Sequence, residues 1–531
     1  MAGRRSSRRM AERVTFERSP EQTSTAAPEL TAPELTSDAI ARDTQARAHT
    51  ELPAPAEAHA NGHVERPRKR SGSKARERAR SEQRVRLALA MIDAIAEDGY
   101  RATRVADVIS RAGVSRKTFY EHFENKQECL LVTFDLIMAE ATRRIESAYR
   151  DGVGWPGRVE AGIRALFDAA IDNPGALRLS LLEIGAVGPA GIARREESFK
   201  RFEDLIRDAL ELAPGEGTVP DPTLKAIVGG LNRVLYQRVL RADRAELYAL
   251  IPDLTAWATA YYPAPAEILA EPVALSSAQR RAIAHRAGRA PGTLAPHPLL
   301  GGRRGLARGD QNVSKSYVVQ NQRARILDAA ANLTARDGYA SLKVEEIAEH
   351  AAVSLVAFYE HFVDKEDAFL VAYEVGVGKA LAVVERAVAA ESDWREAVRA
   401  GIDALFGFLA SEPAFAQIAL MDALIVTPHT AARSTESVGA FARLLVPGSE
   451  QVNGCVPRAI TIEAIAGGLF DLCLQYALAG RIDELPELVP TATYIALAPF
   501  VGGEQAAQIA TQDAQSPPPQ QQQAAELSAR A

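Results

Sequence analysis

Cysteine is scarce. The three present, Cys129, Cys455 and Cys473, stand far apart in the chain. None forms a CxxC pair and no histidine cluster has zinc spacing, so neither a metal site nor a redox pair is expected. Isolated cysteines of this kind pack as small apolar groups. Long apolar runs are missing too: nothing reads as the ~18–20 continuous apolar residues that span a membrane. The opening MAGRRSSRRM leads into no apolar signal core. The expectation is a soluble, cytoplasmic protein with no membrane partner. Period-two alternation is nowhere sustained, which argues against strands. Walker, GxSxG and HExxH motifs are also lacking, so no enzyme activity and no cofactor are expected.

Charge is present but unevenly placed. The net charge of −6 hides a stretch, residues 65–80 (ERPRKRSGSKARERAR), with eight Lys/Arg against two Glu. A basic arm beside a folded domain points to nucleic acid. Residues 1–80 have few large apolar side chains and are expected to form a disordered basic arm. The tail 503–531, with SPPPQQQQ, reads the same way. A third such stretch, 263–319, is rich in Pro, Gly, Ala and Arg and separates two long helical regions as a linker.

Those two regions are copies. An offset of 239 aligns Gly99-Tyr100 with Gly338-Tyr339, VSRKTFYEHF at Val114 with VSLVAFYEHF at Val353, and AGIRALF at 161 with AGIDALF at 400. Near the ends the offset is 238, matching AIVGGL at 226 with AIAGGL at 464. The unit of duplication is therefore a domain of roughly 180 residues, far longer than a solenoid repeat. Within each copy apolar residues recur at helical spacing: Leu87, Met91 and Ile95 in the first, Ile326, Ala330 and Leu333 in the second. Gly99 and Gly338 are placed to end these helices in a left-handed C-cap, and Thr103 to cap the next.

From Thr103 the first copy reads as a short helix to about Arg111, a turn at Gly113, an N-cap at Ser115 and a second short helix to His122. That is a helix-turn-helix. In such a motif the second helix enters the major groove and its first residues face base edges; here these are Arg116, Lys117 and Thr118. Arg or Lys donates to guanine O6 and N7. The Thr118 hydroxyl and Tyr120 phenol suit phosphate oxygens. Asn125-Lys126 opens the following helix, where amides and an ammonium can hold a further phosphate. Phe119 and Phe123, at i and i+4, pack inward, and His122 and His361 read as structural hydrogen-bonding residues.

The stretch DGYRATRVADVISRAGVSRKTFYEHFENKQECL resembles the DNA-binding head of the tetracycline-repressor (TetR) family of transcriptional regulators. DGYASLKVEEIAEHAAVSLVAFYEHFVDKEDAFL is a second, weaker match. The resemblance implies an all-α fold: two tandem units, each a three-helix head and a larger helical body that binds a small effector and dimerises. The expected heads are 81–142 and 320–380, and the bodies 143–262 and 381–502. By position, the family's DNA contacts fall on Arg104, Arg116, Lys117, Thr118, Tyr120 and Lys126, beside the cap Ser115. The corresponding second-copy residues that remain polar are Lys343, Ser354, Tyr359 and Lys365. Double-stranded DNA is thus the expected partner, in a nucleoid-associated protein.

The second copy departs from this pattern. Arg116, Lys117, Thr118 and Gly113 become Leu355, Val356, Ala357 and Ala352. Residues 320–369 hold five basic and nine acidic residues, whereas 81–130 hold eight of each. Each lost bidentate base contact forfeits ~1–3 kcal/mol of discrimination. The expectation for head two is weak or shape-level contact.

Family members pair their last two helices into a four-helix bundle. The corresponding segments, about 222–260 and 457–500, each carry a Gly pair, Gly229-Gly230 and Gly467-Gly468, which would let helices approach closely. Two halves of one chain are expected to pair as a pseudo-dimer, with a homodimer as the alternative. A flexible 57-residue segment, 263–319, reaches about 40–45 Å, against ~34–36 Å between successive half-sites. The bodies around 158–212 and 395–446 are Ala/Leu-rich and would enclose an unidentified effector. Glu183 and Asp422, aligned carboxylates in the runs LSLLEIGAVG and IALMDALIVT, are candidate anchors for it. The reading is a ligand-responsive regulator, a repressor by analogy, on an asymmetric operator. The alternative is a helical ligand-binding or scaffold protein with relic heads.

Overall fold

A computed structural model describes residues 71–213, 219–239, 244–265, 315–423, 428–446 and 458–512, with Ile268 and Gln279 as isolated positions. Every described element is helical. The first unit comprises α1 (Ser71–Ala102), α2 (Val105–Ala112), α3 (Arg116–His122), α4 (Lys126–Asp151), α5 (Gly154–Asp172), α6 (Pro174–Leu181), α7 (Pro189–Leu210), α8 (Asp221–Val239), α9 (Arg244–Ala249) and α10 (Ile251–Thr259). The second comprises α11 (Lys315–Asp337), α12 (Val344–His350), α13 (Leu355–His361), α14 (Lys365–Ala389), α15 (Trp394–Ser411), α16 (Pro413–Gln417), α17 (Pro428–Ala442), α18 (Arg458–Leu478), α19 (Val489–Val501) and α20 (Gly503–Thr511). A π-helical turn, Ile418–Asp422, follows α16.

The apolar period of α1 buries Leu87, Met91 and Ile95 against Val108, Phe119, Phe123 and Phe134. The second head repeats this with Ile326, Ala330 and Leu333 against Ile347, Phe358, Phe362 and Phe369. Cys129 and Cys473 are buried, and burial pushes both thiols up to about 12, as expected of packing residues. Cys455 lies outside the described residues.

Several expected boundaries move. α1 begins at Ser71, so the end of the basic arm is helical, and α11 begins at Lys315, inside the expected linker. α4 and α14 run unbroken through the expected head–body borders at 142 and 380, so each head shares a helix with its body. α20 lies in the expected disordered tail. Residues 1–70, most of the expected linker and 513–531 lie outside the described residues. Gly99 and Gly338 have positive φ (74° and 76°) but ψ of 161° and 151°. They occupy a region essentially restricted to glycine rather than the expected left-handed C-cap.

The two bodies pack on one another through α8 and α18. A Cβ on Gly229 would fall 2.5 Å from Asp471 Cβ, and one on Gly467 would fall 2.7 Å from Arg233 Cβ. Gly230 sits on the Ala464 carbonyl and Gly468 on the Ala226 carbonyl. The close approach therefore needs glycine at all four positions. α10 and α19 complete the bundle: the Tyr261 hydroxyl donates to Ile495 O and the Tyr494 hydroxyl to Tyr261 O, each at 3.0 Å. Trp257, Tyr261, Ile495 and Leu485 belong to one apolar core continuous across both bodies. α18 shows a further departure: Ala459–Leu478 is long and apolar enough to cross a membrane by length and composition, with a little over half of it buried in the protein.

Gly468→Ala should lower stability by about 1–3 kcal/mol through overpacking. Gly378→Ala, in the interior of α14 with open space around its Cβ, should raise it by about 0.5–1 kcal/mol. Denaturant melts of the full chain check both signs.

Candidate nucleic-acid interface

α2 ends at Gly113 (φ 61°, ψ 39°), whose N–H turns back onto the end of the helix. Ser115 then caps α3: its hydroxyl accepts the Thr118 N–H at 3.0 Å and lies 2.9 Å from the Thr118 hydroxyl. Phe119 and Phe123 point into the head, their rings 5.6 Å apart. With that face committed, the opposite face of α3 presents Arg116, Lys117 and Tyr120 to solvent. Arg116 lies 5.7 Å over the Tyr120 ring. Lys117 is 3.8 Å from Glu121, but both are well exposed, so the pair contributes little and leaves the ammonium available. The Arg80 guanidinium donates to Glu121 O at 3.2 Å, bringing the helical end of the basic stretch beside the C-terminus of α3.

Thr103 and Lys126 differ from expectation. Thr103 is buried and its hydroxyl donates to Gly99 O at 2.8 Å, closing α1 rather than capping α2. The extended residue before α2 is Arg104, whose N–H is taken by Asp107 at 2.8 Å; the Arg104 side chain is exposed. The Lys126 ammonium donates to Tyr100 O and Thr103 O, both at 2.8 Å, and sits 4.2 Å over the Tyr100 ring. Burial holds its pKa below the usual lysine range. Two of its three donors are therefore spent inside the head. Lys365 repeats the arrangement on Tyr339 O (3.4 Å) and Leu342 O (2.9 Å). Both lysines brace the start of the long helix against the end of the first. A signal existed in the sequence: this lysine persists in the copy that lost its recognition residues.

Head two keeps the frame and exposes apolar side chains where head one has Arg116 and Lys117. Ser354 caps α13 by accepting the Ala357 N–H at 3.1 Å. Leu355, Val356, Tyr359 and Val363 are exposed, Val356 at 70%. Lys343 lies 3.4 Å from Glu346. Ala352 replaces the turn glycine while keeping its positive φ of 51°, the lone non-glycine described residue to do so. His122 Nε2 is 3.3 Å from Gln83 Oε1, whereas His361 Nε2 has no hydrogen-bond partner, against expectation.

The candidate ligand anchors have another role. Glu183 accepts the Tyr100 N–H at 3.0 Å and lies 3.3 Å from Arg178, which donates to Ala96 O at 2.9 Å. It ties head one to its body. Asp422 meets the Tyr339 backbone in the same way. The residue aligned with Arg178 is Gln417 (178 plus 239), so the second carboxylate lacks a guanidinium from its own unit. Burial pushes the Asp422 carboxyl up to about 6, opposed by the Tyr339 hydrogen bond and by Arg101 of head one. Neither carboxylate lines a described cavity. The second body holds a cavity of about 140 Å³ lined by Val377, Phe406, Leu420, Phe441 and Phe470, with Tyr373, Ser434 and Ser437 at its polar edge. The first body holds two smaller ones, about 70 Å³ beside Trp155, Arg158 and Asn232 and about 60 Å³ beside Met138, Leu177 and Ser180.

Two outcomes follow from this geometry. Ala352→Gly should stabilise the chain by about 1 kcal/mol by relieving the left-handed alanine, read as a raised melting midpoint. Asp422 is harder to ionise folded than unfolded, so its favourable contribution is complete below pH ~4 and lost as pH rises through about 6. Asp422→Asn should therefore melt above the native chain at pH 7.5, by roughly 1–3 kcal/mol, with the difference vanishing near pH 4.

The profile of the bacterial regulatory proteins, tetR family, matches residues 90–133 and again 326–372. These windows contain both helix-turn-helix segments. Among curated proteins, the chain is 27% identical over 112 residues to the HTH-type transcriptional activator FasR of Mycolicibacterium smegmatis, covering 21% of this chain and 51% of that protein. It is 24% identical over 176 residues to the uncharacterized HTH-type transcriptional regulator YerO of Bacillus subtilis, covering 30% and 58%. The chain thus spans little more than half the length of these relatives. The fatty acid degradation regulator FadR from Bacillus halodurans aligns structurally at 19% identity and a TM-score of 0.30, over 33% of this chain and 92% of that one. Two segments of the chain, each holding a helix-turn-helix, thus match the model of the tetR family of bacterial regulatory proteins.

Proposed function

We propose that the chain is a DNA-binding transcriptional regulator that works as a single-chain pseudo-dimer, reading DNA mainly through its first head. One observation carries the reading. Arg116 and Lys117 stand exposed on the first turn of a capped helix whose other face is locked into the core. Such a helix delivers its cations to guanine edges without paying to order the backbone. Tyr120 and Thr118 supply phosphate contacts that set register, with Arg104 at the start of α2. Lys126 braces the head instead. Head two offers Tyr359 and Lys343 to phosphate and Leu355 and Val356 to thymine methyls, so its contribution is weak and tolerant of sequence. The operator then has one strong half-site and one loose one.

The body of unit two is the better effector site. Its space is one cavity of about 140 Å³, where the first body has separate cavities of about 70 and 60 Å³, and its wall is apolar but for one hydroxyl cluster, in which the Tyr373 hydroxyl lies 2.9 Å from Ser437 Oγ. A largely apolar molecule with one hydrogen-bonding group fits that chemistry. Leu420 lines the cavity from the π-turn whose last residue, Asp422, meets Tyr339 of head two. An occupant that moves this turn changes how head two is held, and alters DNA affinity by its differential binding to the two arrangements. The direction, repression or activation, follows from operator position.

Gel shifts on a footprinted operator test the reading. Arg116→Ala and Lys117→Ala should each weaken specific binding by about 10–100-fold, while Val356→Ala should stay within about threefold. Specific binding that survives both cation losses would remove head one as the reader.

A further inference from the structure

Charge at the meeting of the two bodies breaks the symmetry that the backbone keeps. The glycine contacts relate the halves: Gly229 faces Asp471 as Gly467 faces Arg233, and Gly230 faces Ala464 as Gly468 faces Ala226. The offset of 238 that pairs these glycines also pairs Arg233 with Asp471 (233 plus 238 is 471). One helix carries a guanidinium where its copy carries a carboxylate.

The neighbouring pairs follow the same rule. Arg195 on α7 donates to Asp471 at 2.6 Å, with side chains 11% and 9% exposed. Gln475 gives Asp471 a further donor at 3.0 Å, and Arg195 stacks 4.2 Å over Phe199. The residue aligned with Arg195 is Ser434 (195 plus 239). Arg238 on α8 makes a two-pronged pair with Glu463 on α18. Their aligned positions hold Tyr476 (238 plus 238) and Lys225 (463 minus 238). The first body brings cations to every one of these contacts, and the second brings acids.

We infer that this pattern is a pairing code: the first body's face fits the second body's face and rejects a copy of itself. Two first bodies joined about the same axis would set Arg195 against Arg233 and Arg238 against Lys225. Two second bodies would leave Asp471 facing Ser434 and Glu463 facing Tyr476. At the buried Arg195–Asp471 contact, like charges or a carboxylate deprived of its guanidinium are among the costliest arrangements at an interface; Arg238 and Glu463, partly exposed, weigh less. Tethering raises the local concentration of the partner unit but does not by itself forbid exchange between chains; like-with-like pairing is excluded by charge. The inference rests on the single-chain pairing proposed above and adds the residues that enforce it.

The test uses the full chain in sedimentation velocity and thermal melts. The native chain should sediment as one polypeptide at every concentration. Asp471→Arg, which gives the second face the residue the first already has, should lower the melting midpoint by roughly 5–15 °C and produce expanded, self-associating species. Arg195→Asp alone should do the same. Combining the two should restore at least half of the lost midpoint and the native sedimentation. The code is wrong if Asp471→Arg changes neither midpoint nor mass, or if the combined chain recovers nothing, including the case in which neither variant folds. A native chain that sediments as a dimer would instead overturn single-chain pairing, and the rescue would still decide whether these charges select unlike units.

Discussion

Four glycines with no room for a side chain fix how this molecule is put together. At Gly229, Gly230, Gly467 and Gly468 the backbones of α8 and α18 come so close that a methyl group would meet a carbonyl or the root of a side chain. Glycine inside a helix costs about 1 kcal/mol relative to alanine, and four of them is a steep sum on local grounds. The contact they permit offsets it. With the helices in backbone contact, Trp257, Tyr261, Tyr494 and Ile495 form one continuous core instead of two. Truncating a single buried aromatic of that kind typically costs about 3–5 kcal/mol. The bodies share this core, and each head is joined to its body by the unbroken α4 or α14.

That shared core explains how unit two tolerates local faults. Ala352 holds a left-handed conformation that costs an L-residue ~1–2 kcal/mol. Asp422 is buried, with one carboxylate oxygen lacking a hydrogen-bond partner and no arginine from its own unit. His361 Nε2 is unpartnered where His122 meets Gln83. The corresponding positions in unit one, Gly113, Glu183 and His122, are all satisfied. A free-standing domain of this size has only about 5–15 kcal/mol to lose. In this chain the second unit shares its body's apolar core with the first.

Comparison of the copies also separates what was legible in the sequence from what was not. The duplication, the helical class, the Ser115 and Ser354 caps and the inward Phe119 and Phe123 are local patterns, and local patterns survive in a string of letters. The glycine pairs were legible because a helix former's absence from a helix demands a reason. Thr103, Lys126 and Glu183 carry internal contacts that the sequence reading did not anticipate. Lys126 and Glu183 each have a backbone partner reached only through the fold, Tyr100 O and Tyr100 N, whereas Thr103 turns back locally onto Gly99 O. A lysine at the start of a helix or a carboxylate in an apolar run looks like a ligand contact until the chain end it satisfies is brought beside it. The Arg195–Asp471 pair joins positions 276 residues apart, and no pattern within either copy announces it.

The difference between the heads follows from which residues the scaffold needs. Cap, brace and aromatic pair hold the helix-turn-helix in shape, and both copies retain them as Ser115 and Ser354, Lys126 and Lys365, Phe119 and Phe358. The solvent face of the recognition helix supports nothing, so Arg116, Lys117 and Thr118 change to Leu355, Val356 and Ala357 without disturbing the fold. In a symmetric dimer one substitution alters two half-sites at once. Here the two faces are encoded separately while one backbone contact keeps them in register, so the loss of cations from one head leaves the other's geometry intact. The same separation reaches the bodies, where one copy holds a single cavity of about 140 Å³ and the other two of about 70 and 60 Å³. Duplication within a chain thus turns a symmetry constraint into two independent sets of side chains on one frame.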